Sequence, residues 1–196
     1  MTDLECLYAE CESAFRIKWP DETKPLVFGD GCSVRPPIML IGEAPGEQET
    51  LQGRPFVGKA GKNLDAFLQL MGMERSAMYV SNVVKIRPVE TGKTGRLRNR
   101  APSRDEIAFF LPYLKREISI IQPKALVSLG NVPLKALLDE TAAVGELHGT
   151  WQKTPEGFPL FALYHPAAVI YRRELSAVYE QDVIRLRDSL TIETSK

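Results

Sequence analysis

The stretch from Ile38 to Gly61, IMLIGEAPGEQETLQGRPFVGKAG, constrains this chain more than any other. A short apolar run from Ile38 to Ile41 stops abruptly at Gly42-Glu43-Ala44-Pro45-Gly46-Glu47, and Lys59-Ala60-Gly61 then opens a helical pattern. Strand, glycine-rich turn, acidic residues and helix, in that order, are how an α/β fold presents chemistry at the carboxyl edge of its sheet. Glycines at 42 and 46 let backbone N–H groups approach a ligand where a side chain would obstruct them. Pro45 stiffens the turn by fixing φ.

The remaining sequence repeats that alternation. Leu4, Leu7, Tyr8, Cys11 and Phe15 predict a helix within residues 1 to 20, closed by Trp19-Pro20. Leu26-Val27-Phe28 suggests a short strand. Leu64, Phe67, Leu68 and Met71 form one helical face ending at Gly72. Met78 to Val84 predicts a strand covered on both faces, followed by a glycine- and arginine-rich loop from Val89 to Ala101. Ser103-Arg104-Asp105-Glu106 is a capping box opening a helix with Phe110, Leu114 and Ile118 inward. Ala125 to Leu129 is a further strand, with a helix from Pro133 to Leu138. Phe161 to Tyr164 is the last, and a helix from about Leu175 to Leu190 closes the domain. Four strands each followed by a helix imply an α/β fold: a single domain over residues 1–196, built as a three-layer α/β/α sandwich on a mainly parallel four-stranded sheet.

Twenty-five basic and 25 acidic residues cancel, so any nucleic-acid affinity must come from a local basic face. The amino end carries no long apolar run, so neither a signal peptide nor a membrane span is expected, and a cytoplasmic location follows. The three cysteines, Cys6, Cys11 and Cys32, are too few and too irregularly spaced for a disulfide framework. With neither histidine close in sequence they make a poor zinc set, and ordinary reduced thiols are the simpler reading.

Parallel strands bring their carboxyl ends to one edge. Glu43, Asn82, Gly130-Asn131 and His165 then converge there. Singly, each has a bland explanation: loop acids are solvated and strand-end amides satisfy backbone. Four polar residues at the same end of four strands make coincidence a weak account. His148, beside Gly149 in a loop, reads as structural or solvated.

Several segments resemble, in order, the family 4 uracil-DNA glycosylases. GEAPGE followed by acidic residues and GRPFVG resembles motif 1, and HPAAVI resembles motif 2, histidine-proline followed by small residues. Asn82-Val83-Val84-Lys85 and the PSRDEIAFFLPYL helix lie between, so the resemblance spans Val27 to about Val183. It implies a monofunctional glycosylase that hydrolyses the N-glycosidic bond of uracil flipped out of DNA, leaving an abasic site. His165 becomes the donor to the departing uracil anion and Asn82 the amide that reads the base edge. Phe56 becomes the ring stacked on the flipped base, within a pocket that includes Gly42 and Ala44. Glu43, with Glu47 second, becomes the carboxylate that positions water and stabilises the oxocarbenium-like sugar. Family 1 enzymes carry aspartate where this chain has Ala44. Arg96, Arg98, Arg100 and Ala167 are the expected DNA contacts, uracil-containing DNA the partner, and a monomer the expected state. The resemblance also implies a 4Fe–4S cluster on four cysteines, but two of those positions hold Ile86 and Phe110, and Cys6 and Cys11 are spaced more widely than the family's pair. No cofactor and no metal are therefore expected. A glycosylase for another deaminated base, hypoxanthine or xanthine, is the same-chemistry alternative, and a non-catalytic DNA- or lesion-binding protein is the alternative from another class.

Overall fold

The computed structural model describes residues 1–93, 95–171 and 174–193. Thr2 caps α1 (Asp3–Lys18): its side chain accepts from the Glu5 N–H, and Glu5 reaches back to the Thr2 N–H. A two-residue strand β1 (Asp30–Gly31) precedes β2 (Ile38–Gly42), α2 (Glu47–Gln52) and α3 (Lys59–Met71). Next come β3 (Tyr79–Asn82), the ribbon β4 (Val89–Thr91) and β5 (Leu97–Asn99), and α4 (Arg104–Ile121). The chain continues through β6 (Ala125–Leu129), α5 (Asn131–Leu137), α6 (Val144–Leu147), β7 (Trp151–Lys153) and β8 (Pro159–Leu163), and ends in α7 (Pro166–Tyr171) and α8 (Glu174–Glu193).

The sheet has six strands in the order β1-β3-β2-β6-β8-β7. The four expected strands are its parallel centre, and β1 and β7 add antiparallel edges. Alternation along each strand divides two cores. Met39, Ile41, Leu126, Leu160 and Ala162 face α1, α4 and α5, where Phe15, Phe110, Leu114 and Leu134 meet them. Ile38, Leu40, Val127, Phe161 and Leu163 face α3 and α8, against Leu64, Phe67, Val183 and Leu186. The three-layer reading holds. β2 and β6 are buried on both faces, which is why they read as unbroken apolar runs.

Two local expectations differ from the fold, and one edge strand was not among them. Leu26 to Phe28 is not a strand; Val27 donates instead to the Lys85 carbonyl (2.7 Å), and the edge strand starts at Asp30. The arginine-rich loop is folded into the β4–β5 ribbon, with Glu90 opposite Arg98. β7, an edge strand with two of its three residues exposed, passed unread. The capping box at Ser103 is present as expected, with Glu106 accepting from the Ser103 N–H at 2.6 Å.

The chain leaves β2 for β3 on one side and later returns to β6 on the other. β2 is therefore the point where the winding reverses, and a crevice opens beyond its carboxyl end. Among the described residues no helix is long and apolar enough to cross a membrane.

Candidate active site

Gly42 ends β2 opposite Asn82, the last residue of β3. A Cβ on Gly42 would stand 2.5 Å from Asn82 Oδ1 and 2.6 Å from Phe56 Cζ. Only glycine therefore lets the amide and the ring close over the strand end. Both are buried, Asn82 at 3% exposure and Phe56 at 6%.

Phe56 adopts φ +54°, a left-handed conformation that costs a bulky residue about 1–3 kcal/mol. The surroundings impose it. Arg75 donates to the carbonyls of Pro55 (2.7 Å) and Phe56 (3.4 Å). On the other side, Glu49 Oε1 accepts from the N–H groups of Val57 (3.0 Å) and Gly58 (2.7 Å), while Oε2 accepts from Gly46 (3.1 Å). One buried carboxylate thus ties the loop after β2 to the loop carrying the ring. Gly61 completes the turn, since a Cβ there would lie 2.2 Å from the Phe56 carbonyl oxygen.

His165 follows β8. Gly130, at φ +90°, gives it room: a Cβ at that position would approach the His165 Cβ to 3.1 Å. The Ala167 N–H donates to His165 Nδ1 at 3.1 Å, so Nδ1 carries a lone pair and the neutral ring bears its proton on Nε2. Burial lowers the imidazole pKa below its ordinary 6.5, which favours that neutral form. Nε2 has no hydrogen-bond partner among the described residues.

A cavity of about 430 Å³ joins these groups, lined by Ala44, Glu47, Glu49, Phe56, Asn82, Asn99, His165 and Ala167 among others. The structure so brings together six of the expected residues: Ala44, Glu47, Phe56, Asn82, His165 and Ala167. Gly42 lies beneath them. Glu43 is half-buried beside the lining rather than within it, and desolvation raises its carboxyl pKa above 4.5. Glu47 is exposed and paired with Arg87 (3.2 Å), whose Nε also donates to Asn99 Oδ1 (2.8 Å). Asn131 reaches the edge but turns aside, accepting from the Val144 N–H at 2.8 Å. His148 is held by the buried carboxylate of Asp182 at 2.7 Å, a structural tie.

Arg96, Arg98 and Arg100 stand outside the lining. Arg98 pairs with Glu90 across the ribbon (3.0 Å). Arg100 is bidentate on Glu106, both bonds at 2.7 Å, so its guanidinium is already engaged. Asn99 and Glu49 are lining residues that sequence reasoning missed. Asn99 had a faint signal as the polar residue closing the loop before a helix cap; Glu49 had none beyond being one of several acids.

The residues at the expected cluster position do not fit a group held by four thiolates. Ile86 and Phe110 are buried with Cys11 and Phe15 in one apolar core, Phe110 stacking on Phe15 at 5.7 Å. Burial pushes the Cys11 thiol up to about 12, away from thiolate, and Cys6 is exposed on the same helix.

Beneath the sheet edge lies a second polar cluster. Lys85 Nζ donates to Glu117 Oε2 (2.8 Å), to Ser81 Oγ (2.6 Å) and to the Asn82 carbonyl (2.9 Å). Ser81 donates to Glu117 Oε2, and Tyr8 and Tyr79 donate to Oε1. Lys85 and Glu117 are each 1% exposed.

The family model of the uracil DNA glycosylase superfamily matches residues 28–186. The type-4 uracil-DNA glycosylase of Sulfurisphaera tokodaii is 36% identical, the alignment covering 96% of this chain and 85% of that protein. The type-4 enzyme of Saccharolobus solfataricus is 33% identical, covering 97% and 88%. Among solved structures, SMUG2 of Pedobacter heparinus shares the fold with a TM-score of 0.56 at 13% identity, covering 95% of this chain and 83% of that one.

Proposed function

Since the chain belongs to the uracil DNA glycosylase superfamily, we propose that it removes uracil from DNA, hydrolysing the N-glycosidic bond to release the base and leave an abasic site. The observation that carries the proposal is the tautomer of His165. Its Nδ1 is occupied by a backbone N–H, which leaves Nε2–H as an unpaired donor beside the cavity that Asn82 and Phe56 also line.

A uracil swung out of the stack enters with its face on Phe56, a contact worth about 1–3 kcal/mol. Asn82 supplies both an acceptor and a donor to the base edge, a pattern that uracil satisfies and cytosine reverses. As the bond to the sugar lengthens, negative charge collects on the base and positive charge on the sugar. His165 Nε2–H then donates to a uracil oxygen, an interaction that strengthens only as charge develops. Glu43 is the proposed partner of the sugar cation: a desolvated carboxylate exerts a stronger field than an exposed one. Glu47, exposed and held by Arg87, is the second candidate. Water adds to the sugar, and no covalent intermediate with the protein is required. Arg96, Arg98 and Ala167 are the proposed contacts to the DNA strand.

The test is excision from oligonucleotides carrying uracil, hypoxanthine or xanthine under excess protein. Alkali-labile sites at uracil are expected. Sites at hypoxanthine or xanthine alone would reassign the substrate, and a mobility shift without cleavage would leave a binding protein. Asn82→Ala should narrow the preference for uracil over cytosine, whereas Phe56→Ala should weaken capture of every base alike.

A further inference from the structure

We propose that Asp30 and Arg75 are positioning residues that hold Phe56 in the conformation that receives the base, so that the edge strand β1 serves a cavity it does not line. The proposal rests on the glycosylase reading above. Neither residue is among those around the cavity; both act through the backbone that carries the ring.

Asp30 is placed by the sheet. It pairs with Val80 of β3, and the chain just beyond is fastened where the Cys32 N–H donates to the Met78 carbonyl at 2.9 Å. From that edge its Oδ2 accepts from Arg54 Nε (3.1 Å) and Nη2 (2.7 Å) and stands 3.8 Å from Arg75 Nη2. Arg75 in turn donates to the carbonyls of Pro55 and Phe56. One carboxylate thereby gathers Arg54 by its side chain, and Pro55 and Phe56 through the Arg75 guanidinium. Glu49 fastens the residues after the ring; Asp30 and Arg75 fasten those that lead into it.

A left-handed φ at a phenylalanine persists only where the surroundings over-determine it. Without Arg75 the two carbonyls lose this donor, and the Phe56 backbone relaxes toward negative φ, carrying the ring away from Gly42 and Asn82. A protein whose binding-competent state is only partly populated loses affinity by that fraction. Choice of base is untouched, because Asn82 is held by β3 and His165 by the Ala167 N–H. The ion pair is partly open to water, Asp30 at 35% exposure and Arg75 at 27%, so it contributes little to global stability. Its effect is on where the ring stands.

Capture is measured without chemistry as the preference for a duplex carrying non-cleavable 2′-fluorodeoxyuridine over the same duplex carrying thymidine. Arg75→Ala should lower that preference about 10-fold, with the unfolding midpoint near wild type and the choice of uracil over cytosine in excision unchanged. Arg75→Lys, which keeps a donor for the carbonyls, should recover most of the loss. Asp30→Ala, whose hold is indirect, should lose less than Arg75→Ala. In a Phe56→Ala background Arg75→Ala should add nothing, whereas beside Asn82→Ala its effect should multiply. A full further loss in the Phe56→Ala background overturns the proposal, as does a fall in the unfolding midpoint that accounts for the lost binding. Should Arg75→Ala fail to fold, Asp30→Ala is read in its place, and an unchanged preference there overturns the proposal. A second measurement separates it from the glycosylase reading. With isotope-labelled phenylalanine, the Phe56 backbone chemical shifts should carry the signature of positive φ in wild type and in Arg75→Lys, and lose it in Arg75→Ala. Should the wild-type protein excise no base, the glycosylase reading fails while those shifts still decide for the two residues; a signature unchanged in Arg75→Ala decides against them.

Discussion

Asn82 belongs to two polar regions at once. Its side chain lines the cavity above the sheet edge, while its backbone carbonyl accepts from Lys85 in the cluster beneath. Below, Lys85, Glu117, Ser81 and Tyr79 are buried and mutually bonded, with the half-buried Tyr8 joining them. Above, His165 Nε2 and the Asn82 amide have no partner among the described residues, and Phe56 is held in a strained turn. The contrast separates two uses of buried polarity. A fully satisfied network fixes one geometry; unpaired groups in a cavity await a ligand that completes them. The lower region holds the strand end still so that the upper one can stay incomplete.

The contrast is most easily undone at Lys85. Lys85→Met leaves the buried Glu117 carboxylate without its counter-ion, which should cost about 3–5 kcal/mol of stability. Joining it to Glu117→Leu should return most of that loss, and denaturant unfolding measures both. A single substitution without effect on stability would show that the lower cluster is not a structural support.

His165→Ala should do the reverse. Removing one preorganised donor slows chemistry by about 100–1,000-fold, while the unfolding midpoint and the affinity for uracil-DNA stay near wild type. Near-full activity would break the assignment of the donor. The pH profile probes the same difference. Burial raises the Glu43 pKa and lowers that of His165, and the proposed mechanism uses Glu43 deprotonated and the imidazole neutral. Turnover should therefore fall with decreasing pH through an acid limb above the ordinary glutamate value of 4.5, and hold steady near neutrality. Glu43→Gln should lower the plateau and flatten that limb. A limb that survives unchanged in Glu43→Gln would move the role to Glu47. For stability the sign for His165 is also fixed. The unfolded chain takes up a proton first, so stability contributed by the neutral ring is lost as pH falls through 6.5 toward the depressed folded value.

The smallest effect belongs to the ribbon. Replacing Arg96 and Arg98 with alanine should reduce the salt dependence of DNA binding by roughly one unit of log–log slope for each phosphate the protein no longer neutralises. Arg100→Ala should instead weaken the cap of α4, because Glu106 already holds that guanidinium. An unchanged slope in the double variant would leave Arg96 and Arg98 as solvated charges.

The central strands and the edge where they converge were legible because burial on both faces writes itself as apolar runs ended by polar residues. Asn82 and His165 stand at such ends. Glu49 was not legible: an acid among acids in a loop reads as solvated, and its three backbone partners meet only after residues 46 and 57–58 are folded together. Asn99 sits in a strand too short for periodicity to register. The Lys85–Glu117 pair was invisible for another reason. Both residue types ordinarily face water, and 32 positions separate the two in sequence. β1 and β7 are edge strands of two and three residues, below what any pattern resolves.

The order of the strands also sets a timetable. Gly42, Phe56, Asn82 and Asn99 all leave the ribosome before β8, the last parallel strand, and His165 follows β8 directly. Pairing of β8 with β6 can begin only once β8 itself has been synthesised. A nascent chain that has reached α4 already carries the ring and the amide but lacks the imidazole. The chemistry proposed here thus switches on only with the closing piece of the sheet, so an unfinished chain has no means to cut a base from DNA.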